Sequence, residues 1–193
     1  MHDLAIFLLG PPQVIRDAAH VSFDTRKAVA LLAYLICTRR SHSREALAAL
    51  LWPEYADARN ALRRTLSTLQ HALGTGWLEA GRDQVAIAMR PELWIDVTAF
   101  EAQIAAAADS IALGAAVALY RDDFLAGFTL RDSPAFDEWQ FFEAERLRQL
   151  NASALDRLAA LHAEAGDYEA AIGAARRRLT LDSLHEPAHQ ALM

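Results

Sequence analysis

At 193 residues the chain has room for one large domain or two small ones, each able to bury a core. Hydrophobic residues make up 53%, and there are only 8 Gly, 6 Pro and a single cysteine, Cys37, which excludes a disordered chain, a Pro-rich linker and a disulfide framework. The net charge of −6 argues against nucleic acid, but it is uneven: residues 1–95 hold 11 Lys+Arg against 9 Asp+Glu, whereas residues 96–193 hold 8 against 16, so only the first half is suited to approach DNA.

The first 24 residues read as short extended pieces. AIFLL, QVIR and HVSF are separated by Gly10-Pro11-Pro12 and by Asp17-Ala18-Ala19. The N-terminus MHDLAIFLLGPP carries an acid where a signal peptide needs base, and its apolar core is short. From Thr25 the period turns helical. Thr25 is a candidate N-cap for a helix through Leu31, Leu32, Leu35 and Ile36, ending near Thr38. This helix holds the longest apolar run, the ten residues AVALLAYLIC, against the roughly 20 that span a bilayer. The expected protein is therefore soluble and, with its lone cysteine, cytoplasmic.

Ser43 is placed to cap a second helix, with Glu45 in its first turn and Pro53 stopping it. Asp57 is placed to cap a third, ending at Gly74. WLEAGRDQVAIAM then reads as a β-hairpin around Gly81-Arg82-Asp83. Short strands, three helices and a hairpin in this order describe a winged helix-turn-helix over residues 1–95.

From Asp96 to the end the pattern is almost wholly helical. VTAFEAQIAAAA and SIALGAAVALYRDDF predict two helices split near Asp109-Ser110. Ser133-Pro134 starts a long helix, since Ser caps and Pro fits the first helical position. Gly166-Asp167 breaks it before YEAAIGAARRRLTLD. Residues 154–182 carry the spacing of one tetratricopeptide unit, so residues 96–193 are expected to form a TPR-like helical repeat domain. The final residues ALM are expected to lie mid-helix, with a partner helix to follow. The fold class is thus mainly α with a small β component.

The third helix carries the functional question. Leu62, Leu66, Leu69 and Leu73 form one apolar stripe. Asn60, Arg64, Ser67 and His71 occupy the opposite face, with Arg59, Arg63 and Thr68 beside them. Between Glu54 and Glu79 the only acid is Asp57. Arg grips guanine or phosphate bidentately, Asn pairs with the edge of adenine, and Ser and Thr reach phosphates. Arg82 at the hairpin tip and Arg44 at the start of the second helix are further phosphate candidates. The same face also suits plain solvation.

LLGPPQV…RKAVALLAYLI…SREALAALLWPE…ARNALRRTLSTLQHALG resembles the winged-helix domain of the antibiotic-regulatory-protein (SARP) transcription factors, whose fold is similar to the OmpR/PhoB effector domain. DDFLAGF…SPAFDEWQFFEAERLRQL and the sequence from Ala154 onward resemble the bacterial transcriptional activator domain that follows it in that family. The resemblance covers essentially the whole chain. It implies a transcriptional activator whose recognition helix spans residues 57–73, with double-stranded DNA as partner. RNA polymerase and a second copy, bound through the helical domain, are further partners it suggests. Gln70-His71 stand where the family often has basic residues, the wing lacks its Gly-Tyr pair, and Ser183 replaces a frequent Pro. The rival reading is a protein-interaction scaffold whose winged helix no longer binds DNA.

Other motifs have plainer readings. His185-Glu186-Pro187-Ala188-His189 matches the zinc-protease HExxH pattern, but Pro187 favours a helix start that leaves His185 outside. Gly74-Thr75-Gly76 reads as a turn, Arg176-Arg177-Arg178 as a solvated face, and Cys37 as a small buried hydrophobe. Phe136, Trp139 and Phe142 are assigned to packing. No spacing calls for catalysis, a cofactor or a metal.

Overall fold

The computed structural model describes residues 3–190. The expected placement of Ala191-Leu192-Met193 lies outside the described residues. Three strands open the chain: β1 (Leu4–Phe7), β2 (Gln13–Arg16) and β3 (Ala19–Val21). Consecutive strands pair antiparallel, and the β2–β3 turn places Asp17 and Ala18 at φ of 51° and 64°, the two positive angles that a tight hairpin of matching twist requires. Leu4, Ile6 and Val14 face inward, following the two-residue period of a half-buried sheet.

Helix α1 (Arg26–Thr38) is buried on nearly every side, through Ala28, Ala30, Leu31, Leu32, Ala33, Leu35 and Ile36. A helix that is apolar all round belongs in a core, which explains the longest hydrophobic run of the sequence. Thr25 occupies its N-cap position, but its side chain makes no capping hydrogen bond. After it come β4 (His42–Ser43), α2 (Arg44–Leu51) and α3 (Ala58–Leu73). Ser43 caps α2, its hydroxyl accepting from the Ala46 amide at 3.1 Å. The hairpin follows as β5 (Leu78–Ala80) and β6 (Gln84–Ile87), and β4 joins it to give the sheet order β4-β6-β5. A last strand, β7 (Leu93–Ile95), lies parallel to β1 with Ile6 opposite Ile95. It completes the sheet β3-β2-β1-β7.

The rest of the described chain is helical: α4 (Asp96–Ala106), α5 (Ser110–Ala118), α6 (Pro134–Glu164), α7 (Tyr168–Leu181) and α8 (Glu186–Gln190). Here the structure corrects two expectations. Helix α5 stops at Ala118 rather than running to Phe124, because Phe124 bridges to Leu9 and Gly10 at the end of the first sheet. Asp109 caps α5 by accepting from the Ala112 amide. Ser133 occupies the N-cap position of α6 without capping it; its hydroxyl instead donates to the Leu51 carbonyl at 2.8 Å.

A continuous apolar core runs across residue 95, from Leu4 and Ile6 through α1 to Phe100, Phe124, Phe136 and Leu158. Trp139 sits at this seam, within 4.9–5.8 Å (ring centroids) of Tyr34, Phe124 and Phe136. Phe142 departs from the packing assignment. It is 62% exposed, beside an equally exposed Phe141 on the outer face of α6. No described helix is long and apolar enough to cross a membrane.

Candidate nucleic-acid interface

Helix α3 is seated by its leucines. Leu62, Leu66, Leu69 and Leu73 are all at most 4% exposed, joined by Thr65. Each contributes roughly 1.5–3 kcal/mol by leaving water, which fixes the rotation of the helix about its axis. That rotation turns Arg59, Asn60, Arg63, Arg64, Ser67 and His71 outward, all exposed, with Thr68 half-buried at the margin. The C-terminal half does not cover this face.

The N-termini of α2 and α3 and the tip of the hairpin enclose a groove of about 510 Å³. Ser43, Arg44, Glu45, Arg59, Asn60, Leu62, Arg63, Arg82 and Asp83 line it. Five of the expected contact residues therefore converge: Arg44, Arg59, Asn60, Arg63 and Arg82. Four cations face two carboxylates, so the groove is net positive. Arg64, Ser67, Thr68 and His71 are not brought into it; they continue the outer face of α3 toward its C-terminus.

Arg44 is not a free phosphate contact over its whole length. Its backbone amide donates to the Asp83 carbonyl and its Nε donates to the Gly81 carbonyl, both at 3.0 Å, so it ties the hairpin tip to α2. Sequence spacing missed this brace, and also β4, whose pairing of Ser43 with Gln84 holds the wing in register. Asp57 departs from its expected capping role. Its carboxylate makes no backbone cap and instead accepts from Asn60 Nδ2, at 2.7 and 2.8 Å to the two oxygens. Asn60 is thus held by Asp57 rather than left free.

The cationic side chains fall into a paired and an unpaired set. Lys27, Arg39, Arg121, Arg146, Arg148 and Arg178 each pair with a carboxylate. Among the described residues, Arg59, Arg63, Arg64 and Arg82 have no such partner. Two of the paired cations, Lys27 and Arg39, join residues before 96 to residues after it. Arg39 bonds Thr98 and Glu101, and Arg146 bridges Glu101 and Glu143. These bonds, led by that to Glu143, raise the Arg146 pKa. Lys27 reaches Asp132.

Asp96 is the central clamp of that junction. At 1% exposure its carboxylate accepts from the Leu8 amide at 2.8 Å, the Leu9 amide at 2.9 Å and the Val97 amide at 2.8 Å, with Arg121 at 3.3 Å. Burial pushes this carboxyl up, against the downward pull of the three amides and Arg121. His42 lies under the hairpin, its ring 4.8 Å from that of Tyr34 and its Nε2 2.7 Å from the Thr38 hydroxyl. Burial, then Arg40, lowers its pKa.

The remaining motifs separate. Helix α8 begins at Glu186, after His185, and the two histidines take different partners: His185 faces Asp156, and His189 pairs with the Ser183 carbonyl. The described residues include no group of three metal-ligating side chains. Arg176 and Arg177 are exposed, but Arg178 is buried between Asp156 and Asp182, so the solvated-face reading fails there. The Cys37 thiol is held well above its usual range, by burial first and then by Glu143 and Glu101. It packs against the core as a hydrophobe rather than standing ready as a nucleophile.

The family profile described as "Bacterial transcriptional activator domain" matches residues 95–193. Among solved structures, Mycobacterium tuberculosis EmbR, in complex with a low-affinity phosphopeptide, is similar over 100% of this chain at a TM-score of 0.77 and 23% identity. The match covers 54% of the EmbR chain, so this chain spans about half that length, and likeness at this identity shows the shared fold. No curated protein matches in sequence.

Proposed function

We propose, from the premise that this chain belongs to the bacterial transcriptional activator domain family and is a transcriptional regulator of the SARP kind, that it activates transcription by binding specific double-stranded DNA through α3. In this reading residues 1–95 are the DNA-binding unit and residues 96–193 the activator domain. Helix α3 enters the major groove, with Arg59, Asn60, Arg63, Arg64, Ser67, Thr68 and His71 toward bases and phosphates. Arg82 on the wing touches the adjacent backbone, and the remaining guanidinium edge of Arg44 supports it. The activator half offers surfaces to RNA polymerase or a second copy, in the cytoplasm.

The observation that carries this is the set of unpaired arginines. Other arginines, among them Arg26, Arg40, Arg131 and Arg177, also lack a carboxylate partner among the described residues, but they are spread over several elements. The outer face of α3 and the wing instead keep Arg59, Arg63, Arg64 and Arg82 without ionic partners, on an uncovered face rigidly seated by four leucines. A polyanion supplies the missing partner at once, since neutralising phosphates releases their condensed counterions.

Binding to mixed-sequence duplex over a salt series tests the reading. Saturable binding is expected at low salt, with a log–log slope of about −0.9 per phosphate neutralised, so four arginines give roughly −3 to −4. Selection from a random duplex pool then yields the operator. The scaffold alternative requires no saturable binding even at low salt.

A further inference from the structure

Away from the DNA-facing surface lies a polar pocket of about 450 Å³, where the segment Tyr120–Asp123 meets α6 and α7. Three guanidinium groups reach it from three elements: Arg121 from the segment, Arg148 from α6 and Arg177 from α7. Arg121 and Arg177 are each held by one bond, whereas all three guanidinium nitrogens of Arg148 are taken by carboxylates, and Asp122 and Asp123 also line the pocket. Arg121 bonds Asp96, Arg148 bonds Asp123 and Glu145, and Arg177 donates to the Val117 carbonyl at 3.3 Å. Arg177 has no carboxylate partner among the described residues.

A second, independent feature is Asn151 on the inner wall. It is 3% exposed, in the middle of α6, and its Oδ1 has no hydrogen-bond partner. Buried amide oxygens are almost always satisfied, and one left bare opposes folding. The wall of a pocket is where a bound molecule can complete such a group. Guanidinium donors arriving from two directions, those of Arg121 and Arg177, suit a tetrahedral oxyanion better than a planar carboxylate, which one fork satisfies. The bare oxygen calls for a donor on the same molecule. A phosphate monoester in its protonated form carries both, whereas the phosphodiester of a nucleic acid carries no such proton.

We propose that this pocket binds a small phosphorylated metabolite, its phosphate held by Arg177 and Arg121 and completed by Asn151. The volume admits a molecule larger than phosphate itself. The pocket wall is also continuous with the first sheet: the Asp123 carbonyl accepts from the Gly10 amide at 3.1 Å, and Leu125 donates to the Leu8 carbonyl at 2.8 Å. An occupant therefore tightens the strap that joins the activator half to β1. The site stands whether or not α3 binds DNA.

The test uses inorganic phosphate as probe, by calorimetric titration and thermal unfolding, in the full chain with DNA absent. Phosphate is expected to bind saturably and raise the melting temperature at millimolar concentration. Arg177→Gln and Asn151→Leu should each weaken that binding at least tenfold while keeping the native circular-dichroism spectrum. Because Asn151→Leu removes the bare oxygen without changing side-chain size much, it should melt no lower than the parent in phosphate-free buffer. Sulfate at equal ionic strength controls for salt exclusion from the protein surface. A non-saturating rise shared with sulfate and unchanged in both variants overturns the proposal, as does the absence of any phosphate binding.

Discussion

Replacing Asp96 by Asn changes one buried atom and tests what joins the two halves. The carboxylate serves three amides: Leu8 shared between both oxygens, Leu9 on Oδ2 and Val97 on Oδ1. An asparagine offers one oxygen. Placed at Oδ2 it keeps Leu9 but turns an NH2 group onto the Val97 amide; placed at Oδ1 it keeps Val97 but confronts Leu9 and Arg121. Either way a buried N–H loses its acceptor, which costs about 1–3 kcal/mol, and the surviving bonds fall from charge-assisted to neutral strength. Part of this is offset because a neutral amide escapes the desolvation cost of a buried carboxylate. The expected net loss is roughly 2–4 kcal/mol. For a chain of this size that lowers the melting temperature by roughly 5–15 °C. Urea unfolding, followed by circular dichroism and by tryptophan fluorescence at the Trp139 seam, measures it. A loss below about 1 kcal/mol would refute the reasoning, since it would mean that water replaces the carboxylate freely at a site where the structure leaves it 1% exposed.

Arg64→Ala should weaken duplex binding by about 1–3 kcal/mol while leaving stability within about 0.5 kcal/mol, because the side chain is exposed and unpaired. A large melting shift with intact binding would place Arg64 in the fold instead. Asp57→Ala should act oppositely. It frees Asn60 and removes a negative charge beside the phosphates, so fluorescence anisotropy should show binding roughly twofold to fivefold tighter, the worth of an exposed ionic contact; weaker binding would show that Asp57 positions Asn60 for its base. The lowered pKa of His42 sets the sign of a pH effect. Its contribution to stability is fully present above the unfolded value near 6.5 and is lost as pH falls from there through the folded pKa, since the unfolded chain takes up the proton first. Urea midpoints at pH 7.5 and 5.5 should show this loss, and His42→Gln should flatten it.

The elements that announced themselves in the sequence are those decided within a few residues. The stripe Leu62, Leu66, Leu69 and Leu73 repeats at the helical period, so α3, its buried face and its arginine-bearing face followed from local order. Thr38, Ser43, Pro53, Gly74 and Gly166 marked helix ends because capping and backbone restriction act on neighbours. The shared family pattern extended this to the whole chain. What only the tertiary structure decided are choices among partners distant in sequence. Parallel pairing of β7 with β1 has no connecting turn to advertise it, so LWI went unread. Ser133 and Arg178 carry groups that bond whatever lies nearest, and the fold brings the Leu51 carbonyl and Asp156 to them. Likewise Asp96 became the clamp because Leu8 and Leu9, 88 and 87 positions away, present amides that would otherwise be buried unsatisfied. Periodicity is a property of the chain, but a hydrogen-bond partner is a property of the packed volume, and there burial makes the pairing compulsory.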